Sequence, residues 1–335
     1  MSLAEIVAAT RSSAGLFVME DRALLELRGD DRVRWLDGMI SGDVQALVDG
    51  DEGSGCYATL LTNRGAIVAD LHVGRLGDFF VLESRRDQLP KILETLTRFI
   101  IADDVTLRGL GEDLEALGLE GPRAAQVLSA TVGSEVALAA EDWAALEIAG
   151  RRVWVAAFGF SGETGFQIHL AREDRSTVEA ALEAAGKSYD LVRGDATALE
   201  VMRIEAGIPA LCSELGEDVF PAEARLERAI SISKGCYVGQ EIVARLRARG
   251  QVNHLLVGLR IEGDALPALD ATLSAKQRRT GEITSAAVSP VYGPIALGYV
   301  RREHSAVGTR VEFEGGAARI VALPFAAVPG SSEPT

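Results

Sequence analysis

The stretch SKGCYVGQEIVARLRARG, residues 233–250, combines a cysteine, three glycines and a run of arginines. Cys236 follows Lys234 and Gly235, and its neighbours are mostly small or polar, which is not the pattern of a core. A lone free cysteine usually behaves as a small buried hydrophobe. A thiol beside a cation and exposed backbone N–H groups is instead a conditional thiolate that can contact another molecule. The local sequence favours this second interpretation for Cys236.

Alternating arginines follow the cysteine. Arg245, Arg247 and Arg249 are separated by apolar residues, and this alternation predicts a strand with all three arginines on one face. From Lys234 to His254 there are four lysines and arginines but a single acid. Such a segment suits an anionic small molecule or an acidic partner. A solvated basic face is the alternative.

The chain as a whole is acidic. Its 335 residues carry a formal net charge of −15, and 47% of them are hydrophobic. This charge argues against direct nucleic-acid binding, because phosphate backbones attract a basic face. No apolar run reaches the ~20 residues of a membrane span, and the first residues do not resemble a signal peptide. Three widely spaced cysteines favour a reducing compartment, so we predict a cytoplasmic protein without membrane contact.

The sequence predicts different secondary structure before and after residues 233–250. Before this stretch, helical and strand patterns alternate irregularly without a βαβ series, and the segments GCYATLLT and AIVADLHVGRL around residues 63–65 predict a hairpin. From about residue 251, short strands separated by glycine and proline are typical of a small barrel. We therefore predict an α+β fold that ends in a small C-terminal β-barrel.

Common catalytic motifs are absent from the sequence. It contains no phosphate loop, no G-x-G-x-x-G fingerprint, no H-E-x-x-H and no C-x-x-C, and its four histidines are scattered. Nothing therefore indicates a metal site, and a self-contained hydrolase or metalloenzyme is disfavoured.

Two carboxylates occupy suggestive positions. Asp70 lies in the otherwise apolar strand of NRGAIVADLHV, where it could bind an N–H of a heterocycle, act as a base, or simply meet water at a strand edge. Glu163 lies between two glycines in GFSGETGFQI. It could be a fixed bidentate acceptor for an amino-pyrimidine edge or an exposed residue of a plain hairpin turn.

One arginine is a candidate for binding an anion. Arg203 stands near the end of a predicted helix in LEVMRIEAGIPAL, before Gly207. Its planar guanidinium could pair with a ligand carboxylate, or it could form an internal salt bridge.

Six blocks, in this order, resemble glycine-cleavage T-proteins (aminomethyltransferases) and their folate-binding relatives. They are NRGAIVADLHV, GFSGETGFQI, RIEAGIP, FPAEARL, SKGCYVGQE and TGEITSAAVSP with IALGYV. The segment KGCYVGQE resembles the signature of the YgfZ-type branch. That branch comprises folate-binding proteins linked to iron–sulfur cluster assembly or repair and once named as tRNA-modifying. T-proteins carry a different sequence here, without the cysteine.

The resemblance implies a three-domain cloverleaf around a central cavity for tetrahydrofolate. It implies a discontinuous first folate-binding domain of residues 1–50 and 140–240, and a second α+β domain of residues 51–139. The barrel would cover residues 241–328, followed by a frayed tail, 329–335.

The resemblance also assigns residues. Asp70 matches the carboxylate beside the reactive folate nitrogen of T-proteins, Glu163 the acid that holds the pterin ring, and Arg203 an arginine of the folate site. The implied catalytic residues are Cys236 and Asp70, and the implied cofactor-binding residues are Asp70, Glu163, Arg203, Lys234, Tyr237 and Gln240. T-proteins usually have two acids where this chain has Ala69 and Asp70, and some YgfZ-type relatives have none. Asp70 therefore keeps one-carbon transfer chemistry possible.

The predicted function is that of a tetrahydrofolate-binding protein that supports assembly or repair of iron–sulfur enzymes. Its partners would be folate, in free or one-carbon-substituted form, and iron–sulfur proteins or the cluster-assembly machinery. One alternative is an enzyme, a folate-dependent aminomethyl or methyl transferase in which Asp70 acts electrostatically or as a general base. A second is a scaffold without folate that binds an acidic partner through the arginines at 245–249. The sequence leaves open whether there is catalytic turnover.

Overall fold

The computed structural model describes residues 1–250 and 252–325. Within them lie eight α-helices and seventeen strands. The helices are α1 Leu3–Ser12, α2 Arg32–Met39, α3 Val44–Asp49, α4 Leu89–Thr97, α5 Ala124–Val132, α6 Arg175–Gly186, α7 Ala196–Ala206 and α8 Gln240–Arg249. The strands up to the long loop are β1 Gly15–Val18, β2 Arg22–Arg28, β3 Gly55–Leu61, β4 Ile67–Leu76, β5 Phe79–Arg85, β6 Thr106–Gly109, β7 Leu114–Glu120, β8 Trp143–Ile148, β9 Arg151–Ala156, β10 Gly165–Ala171 and β11 Val192–Arg193. The remaining strands are β12 His254–Glu262, β13 Thr272–Ala275, β14 Arg278–Ser289, β15 Gly293–Arg301, β16 Arg310–Phe313 and β17 Gly316–Val321.

The first sheet has six strands in the order β11-β1-β7-β10-β9-β8. Its two faces are covered by different helices, because successive side chains of a strand point in opposite directions. Leu16 belongs to a core shared with α5 and α6, whereas Phe17 joins a core shared with α1 and α7. This places α7, and the loop that follows it, against one face of the sheet.

The second sheet has five strands in the order β3-β4-β5-β2-β6. The predicted hairpin is present, since β3 and β4 pair antiparallel and the chain turns at Gly65, whose φ is +79°. Its register pairs Tyr57 with His72 and Thr59 with Asp70. Tyr57 and Asp70 are therefore diagonal neighbours on one face of the sheet.

The third unit is a closed barrel with the strand order β12-β15-β14-β13-β16-β17. A compact apolar core fills it, including Val257, Leu273 and Ile320. The predicted α+β class with a small C-terminal β-barrel is thus confirmed. The predicted frayed tail, 329–335, lies outside the described residues.

Strand pairing interleaves the first two sheets along the chain. β2, from the segment assigned to the first predicted domain, pairs with β5 and β6. β7, from the segment assigned to the second, pairs with β1 and β10. The domain limits at residues 50, 139 and 240 stay a prediction. None of the helices in the described part of the chain is long and apolar enough to cross a membrane.

The predicted arginine strand is wrong, because residues 240–249 form helix α8. Ile242, Val243 and Leu246 are each partly buried, and their spacing gives the helix its inner face. Arg245 and Arg247 are two residues apart, so they project from the helix in different directions. The single basic strand face on which the scaffold alternative rested is therefore not formed.

Candidate functional site

Two adjoining cavities lie where the first two sheets meet α7 and its following loop. The first, of about 260 Å³, is lined by Asp70, Arg22, Arg203 and apolar side chains such as Phe160. The second, of about 560 Å³, is lined by residues that include Tyr57, Glu163 and Arg228. Pro209 lines both cavities, so the two are adjacent.

Asp70 forms part of the wall of the first cavity. Its side chain is buried, and Oδ2 accepts a 2.9 Å hydrogen bond from Tyr57 Oη. Its other oxygen, Oδ1, is buried and has no hydrogen-bond partner among the described residues. A buried carboxylate oxygen without a partner is costly, so this atom suits a site that a donor of a bound molecule completes.

Tyr57 connects the two cavities. Burial, followed by the charge of Asp70, raises the pKa of Tyr57 well above its ordinary value, so the phenol keeps its proton and donates. Its ring lies 4.7 Å from that of His72, and the Arg228 guanidinium lies 4.6 Å from the ring centroid. The tyrosine is therefore fixed on several sides and holds the Asp70 carboxylate in one orientation.

A buried cation stands on the same cavity wall as Asp70. Arg22 is 6% exposed and forms an ion pair with Glu83 on β5. Burial acts to lower the pKa of Arg22, but the charges of Glu83 and Asp70 outweigh it and the pKa is raised. The first cavity is thus lined by a guanidinium whose charge is paired with Glu83, as well as by the Asp70 carboxylate.

Glu163 is held in the turn between β9 and β10, where Gly162 has a φ of +80°. Its Oε1 accepts a 2.9 Å hydrogen bond from Arg11, which also bridges to the fully buried Glu205. The Glu163 side chain is only 10% exposed. Glu163 is therefore not an exposed residue of a plain hairpin turn, which was one of the two alternatives from the sequence. It is a nearly buried, oriented acceptor at the second cavity.

Glu120 stabilises the same turn through hydrogen bonds. This buried carboxylate accepts hydrogen bonds from the backbone N–H groups of Phe160 and Ser161, and from Ser161 Oγ at 2.7 Å. Burial raises the pKa of Glu120 to about 7, against the opposing effect of these donors. The acid fixes the loop that carries Glu163.

Arg203 lines the first cavity but is fully engaged within the protein. Its guanidinium donates to Glu200, to Glu214, to Ser285 Oγ and to the Ile208 carbonyl, so each of its five N–H groups has an acceptor. This is the internal salt bridge that the sequence offered as the alternative. Arg203 ties α7 to the barrel strand β14.

Lys234 is an anchor for the cysteine-containing loop. Its side chain is 1% exposed, and Nζ donates to the carbonyl oxygens of Asp37, Ile40 and Gly42 at 2.5, 3.1 and 2.6 Å. The Asp37 carboxylate lies 3.0 Å away. The lysine thus satisfies carbonyl groups at the end of α2, a favourable place for a cation.

The rest of the signature surrounds this anchor. Cys236 is exposed, Tyr237 is 8% exposed, and Gln240 Nε2 donates to the Gly235 carbonyl at 3.3 Å. Gly239 has a φ of +84°, and a Cβ there would lie 2.6 Å from the Thr62 carbonyl oxygen. The loop is therefore packed against the turn of the NRG hairpin. The described residues contain no group of three or more potential metal ligands.

The structure divides the predicted site residues into two groups. Asp70 and Arg203 line the first cavity and Glu163 the second, whereas Lys234, Cys236, Tyr237 and Gln240 line neither. Folate contacts from the second group stay a prediction. The sequence reasoning missed Tyr57, Arg11 and Arg22. The hairpin register could have identified Tyr57, because a turn at 62–65 places it diagonally across from Asp70. No local signal marks the other two.

Comparison with known families agrees with this architecture. Residues 2–234 match the family described as the GCVT N-terminal domain, and residues 255–326 match the glycine cleavage T-protein C-terminal barrel domain. The chain therefore belongs to the glycine cleavage T-protein family.

Individual relatives point the same way. The chain is 29% identical over 331 residues to an aminomethyltransferase of Saccharopolyspora erythraea, covering 95% of this chain and 88% of that protein. It is 27% identical to the aminomethyltransferase of Bacillus pumilus, covering 97% and 90%. The solved aminomethyltransferase T of the Bartonella henselae glycine cleavage system superposes with a TM-score of 0.85 at 24% identity, covering 97% and 90%. This last similarity shows that the fold is of the aminomethyltransferase type, as predicted.

Proposed function

We propose that this chain binds tetrahydrofolate in the two adjoining cavities and takes part in one-carbon transfer. The relatives named above are aminomethyltransferases, which favours the transferase alternative over a function in iron–sulfur maturation. The observation that carries the proposal is Asp70, which lines the first cavity and whose buried Oδ1 has no partner in the described structure.

The residues present fit this ligand. A reduced pterin presents several N–H donors on one edge, and Glu163 is an oriented carboxylate at the larger cavity. Asp70 Oδ1 needs a donor, and the Tyr57–Asp70 hydrogen bond lies between the two cavities. Their volumes are close to or within the range of small-molecule sites. The ligand's ring would lie toward Glu163 and its reactive nitrogen toward Asp70.

Three residues define the chemistry that the protein contributes. Tetrahydrofolate, when bound, supplies the nitrogen that carries the one-carbon unit. Asp70 places a fixed negative charge where a nitrogen develops positive charge, or accepts a proton from it. Tyr57 orients this carboxylate through Oδ2 and leaves Oδ1 for the substrate. Apolar neighbours such as Phe160 exclude water, which strengthens these electrostatic contacts.

Calorimetric titration with tetrahydrofolate tests the proposal. We expect saturable binding to the unchanged protein and at least tenfold weaker binding to Glu163→Gln, because the amide has one acceptor oxygen where the carboxylate has two, and it carries no negative charge to strengthen hydrogen bonds from N–H groups. Glu303→Gln is the matched control, since that side chain is 68% exposed. Absence of binding at about 1 mM ligand, an affinity of only about −4 kcal/mol, would rule the proposal out.

A second function is supported by a different observation. The KGCYVGQE segment, which resembles the YgfZ-type signature, presents an exposed Cys236 on a loop that Lys234 and Gly239 fix in place. A thiol presented in this way, outside both cavities, is accessible to a partner molecule. We propose that it serves the assembly or repair of iron–sulfur proteins, with folate bound separately.

Complementation of a deletion strain separates these two functions. If the second is correct, Cys236→Ala leaves iron–sulfur enzyme activity deficient, whereas Cys212→Ala restores it. Cys212 is a suitable control because it is also an exposed free cysteine. If Cys236→Ala rescues the strain fully and Asp70→Asn does not, the iron–sulfur function is excluded and one-carbon transfer remains as the proposed function.

A further inference from the structure

A third cavity lies beside α8, apart from the two described above. Its volume is about 590 Å³, and none of its lining residues lines either of the others. Its walls come from the loop before the cysteine, from α8, and from the start and end of the β12–β15 pair. It therefore belongs to a different surface from the candidate folate site.

The lining of this α8 cavity is largely aliphatic. The apolar residues are Pro221, Ala222, Ile230, Ile232, Val243, Leu246, Val252 and Leu255. Ile232 is 72% exposed, which is high for a large apolar side chain. The other apolar lining residues are partly or fully buried, so Ile232 extends an apolar concavity out to the surface, as at sites that another molecule covers.

Cations dominate the rim of the α8 cavity. Arg247 and Arg302 line it, against one acid, Glu227. Arg302 Nη1 donates to the Gly250 carbonyl at 2.7 Å, which fixes that guanidinium at the edge. In a chain with a net charge of −15, this local excess of positive charge favours an acidic occupant.

Polar recognition groups are scarce inside the α8 cavity. Small-molecule sites combine apolar walls with a few placed polar groups. Of the described residues, none that lines this cavity carries a buried polar side-chain atom without a partner. The combination of an aliphatic floor and a charged rim is instead typical of protein interfaces.

We infer that the α8 cavity docks an acidic segment of a partner protein. Apolar side chains of the segment cover Ile232, Val243 and Leu246, and its carboxylates lie beside Arg247 and Arg302. Ile232 is four residues before Cys236 in a loop clamped by Lys234, so a docked segment lies in the neighbourhood of the exposed thiol. This inference does not rest on folate binding.

Fluorescence anisotropy with a defined probe tests the inference. The probe is a labelled amphipathic peptide of about four helical turns, with leucines along one face and glutamates elsewhere. We expect saturable binding that weakens as salt is raised, since charges at a rim are screened. The Ile232→Ser/Arg247→Glu double variant should bind at least tenfold more weakly. Arg278→Glu, an exposed change on the barrel, should leave the affinity unchanged.

Three outcomes would overturn the inference. They are no saturable binding at about 1 mM protein, equal binding to the double variant, and equal binding of a peptide with lysines in place of the glutamates. Tetrahydrofolate titration of the same double variant is expected to match the unchanged protein. A failure of peptide docking is thereby distinguished from a failure of folate binding.

Discussion

Tyr57 Oη donates a 2.9 Å hydrogen bond to Asp70 Oδ2 across the β3–β4 hairpin, while Asp70 Oδ1 is buried without a partner among the described residues. One oxygen of the carboxylate is thus used to fix its orientation, and the other remains for a ligand. This division between orientation and binding is the structural basis of the proposed function.

Replacing Tyr57 by phenylalanine removes that orientation. We expect the free energy of unfolding to fall by about 1–3 kcal/mol, because a second buried oxygen of Asp70 loses its donor. Urea denaturation measures this, with Tyr189→Phe, a partly exposed tyrosine, as control. If both variants lose the same stability, the hydrogen bond does not hold Asp70.

Lys234→Met tests whether the signature lysine is a structural anchor. The change leaves three carbonyl oxygens and the Asp37 carboxylate without their cation. We expect a loss of about 3–5 kcal/mol in the free energy of unfolding, as for other broken buried ion pairs. The exposed Lys187→Met should change it by no more than about 0.5 kcal/mol. A loss as small as that of the control would contradict the anchoring role of Lys234.

Gly239→Ala tests the packing of the signature loop on the hairpin turn. Gly239 and Gly308 have similar φ angles, +84° and +89°, but only at Gly239 would a Cβ meet the protein, 2.6 Å from Thr62 O. Gly308→Ala should lower the free energy of unfolding by only about 1–2 kcal/mol, the cost of placing an alanine in the left-handed conformation. We expect Gly239→Ala to lower the free energy of unfolding by clearly more than this, as measured by thermal or urea unfolding. Equal losses would mean that the contact adds nothing.

Glu120 gives a pH-dependent prediction. Burial raises the pKa of Glu120 from 4.5 to about 7 in the folded protein. The folded state therefore holds this proton more tightly, and the associated stability is complete below about pH 4.5 and lost as the pH rises through about 7.

Glu120→Gln should remove that dependence. Between about pH 4.5 and 8 we expect the unchanged protein to lose about 3 kcal/mol more than the variant. The exposed Glu112→Gln serves as control and should follow the unchanged protein. Parallel pH profiles for the unchanged protein and Glu120→Gln would contradict the raised pKa.

Much of the fold could be predicted from local patterns. The β3–β4 hairpin follows from alternation around a glycine turn, and the barrel follows from short strands separated by glycine and proline. α8 was mispredicted because alternating arginines resemble a strand. The spacing of Ile242, Val243 and Leu246 carried the opposing helical signal, which proved the better guide.

The site was harder to predict, because its contacts join distant parts of the chain. Arg203 is occupied by Glu214 and by Ser285, 11 and 82 residues further on. Glu163 is held by Arg11, 152 residues before it. A single sequence gives the residue types at such a site, but not which of them satisfy one another and which remain for a ligand.

The most direct test of the account is the affinity for tetrahydrofolate of Asp70→Asn, measured by calorimetry. Losing a charged hydrogen-bond acceptor should weaken binding by about ten- to a hundredfold. Asp78→Asn, whose side chain is 81% exposed, should bind as the unchanged protein does. Equal affinity of Asp70→Asn and the unchanged protein, or no binding by either, would contradict the claim that Asp70 Oδ1 receives the ligand.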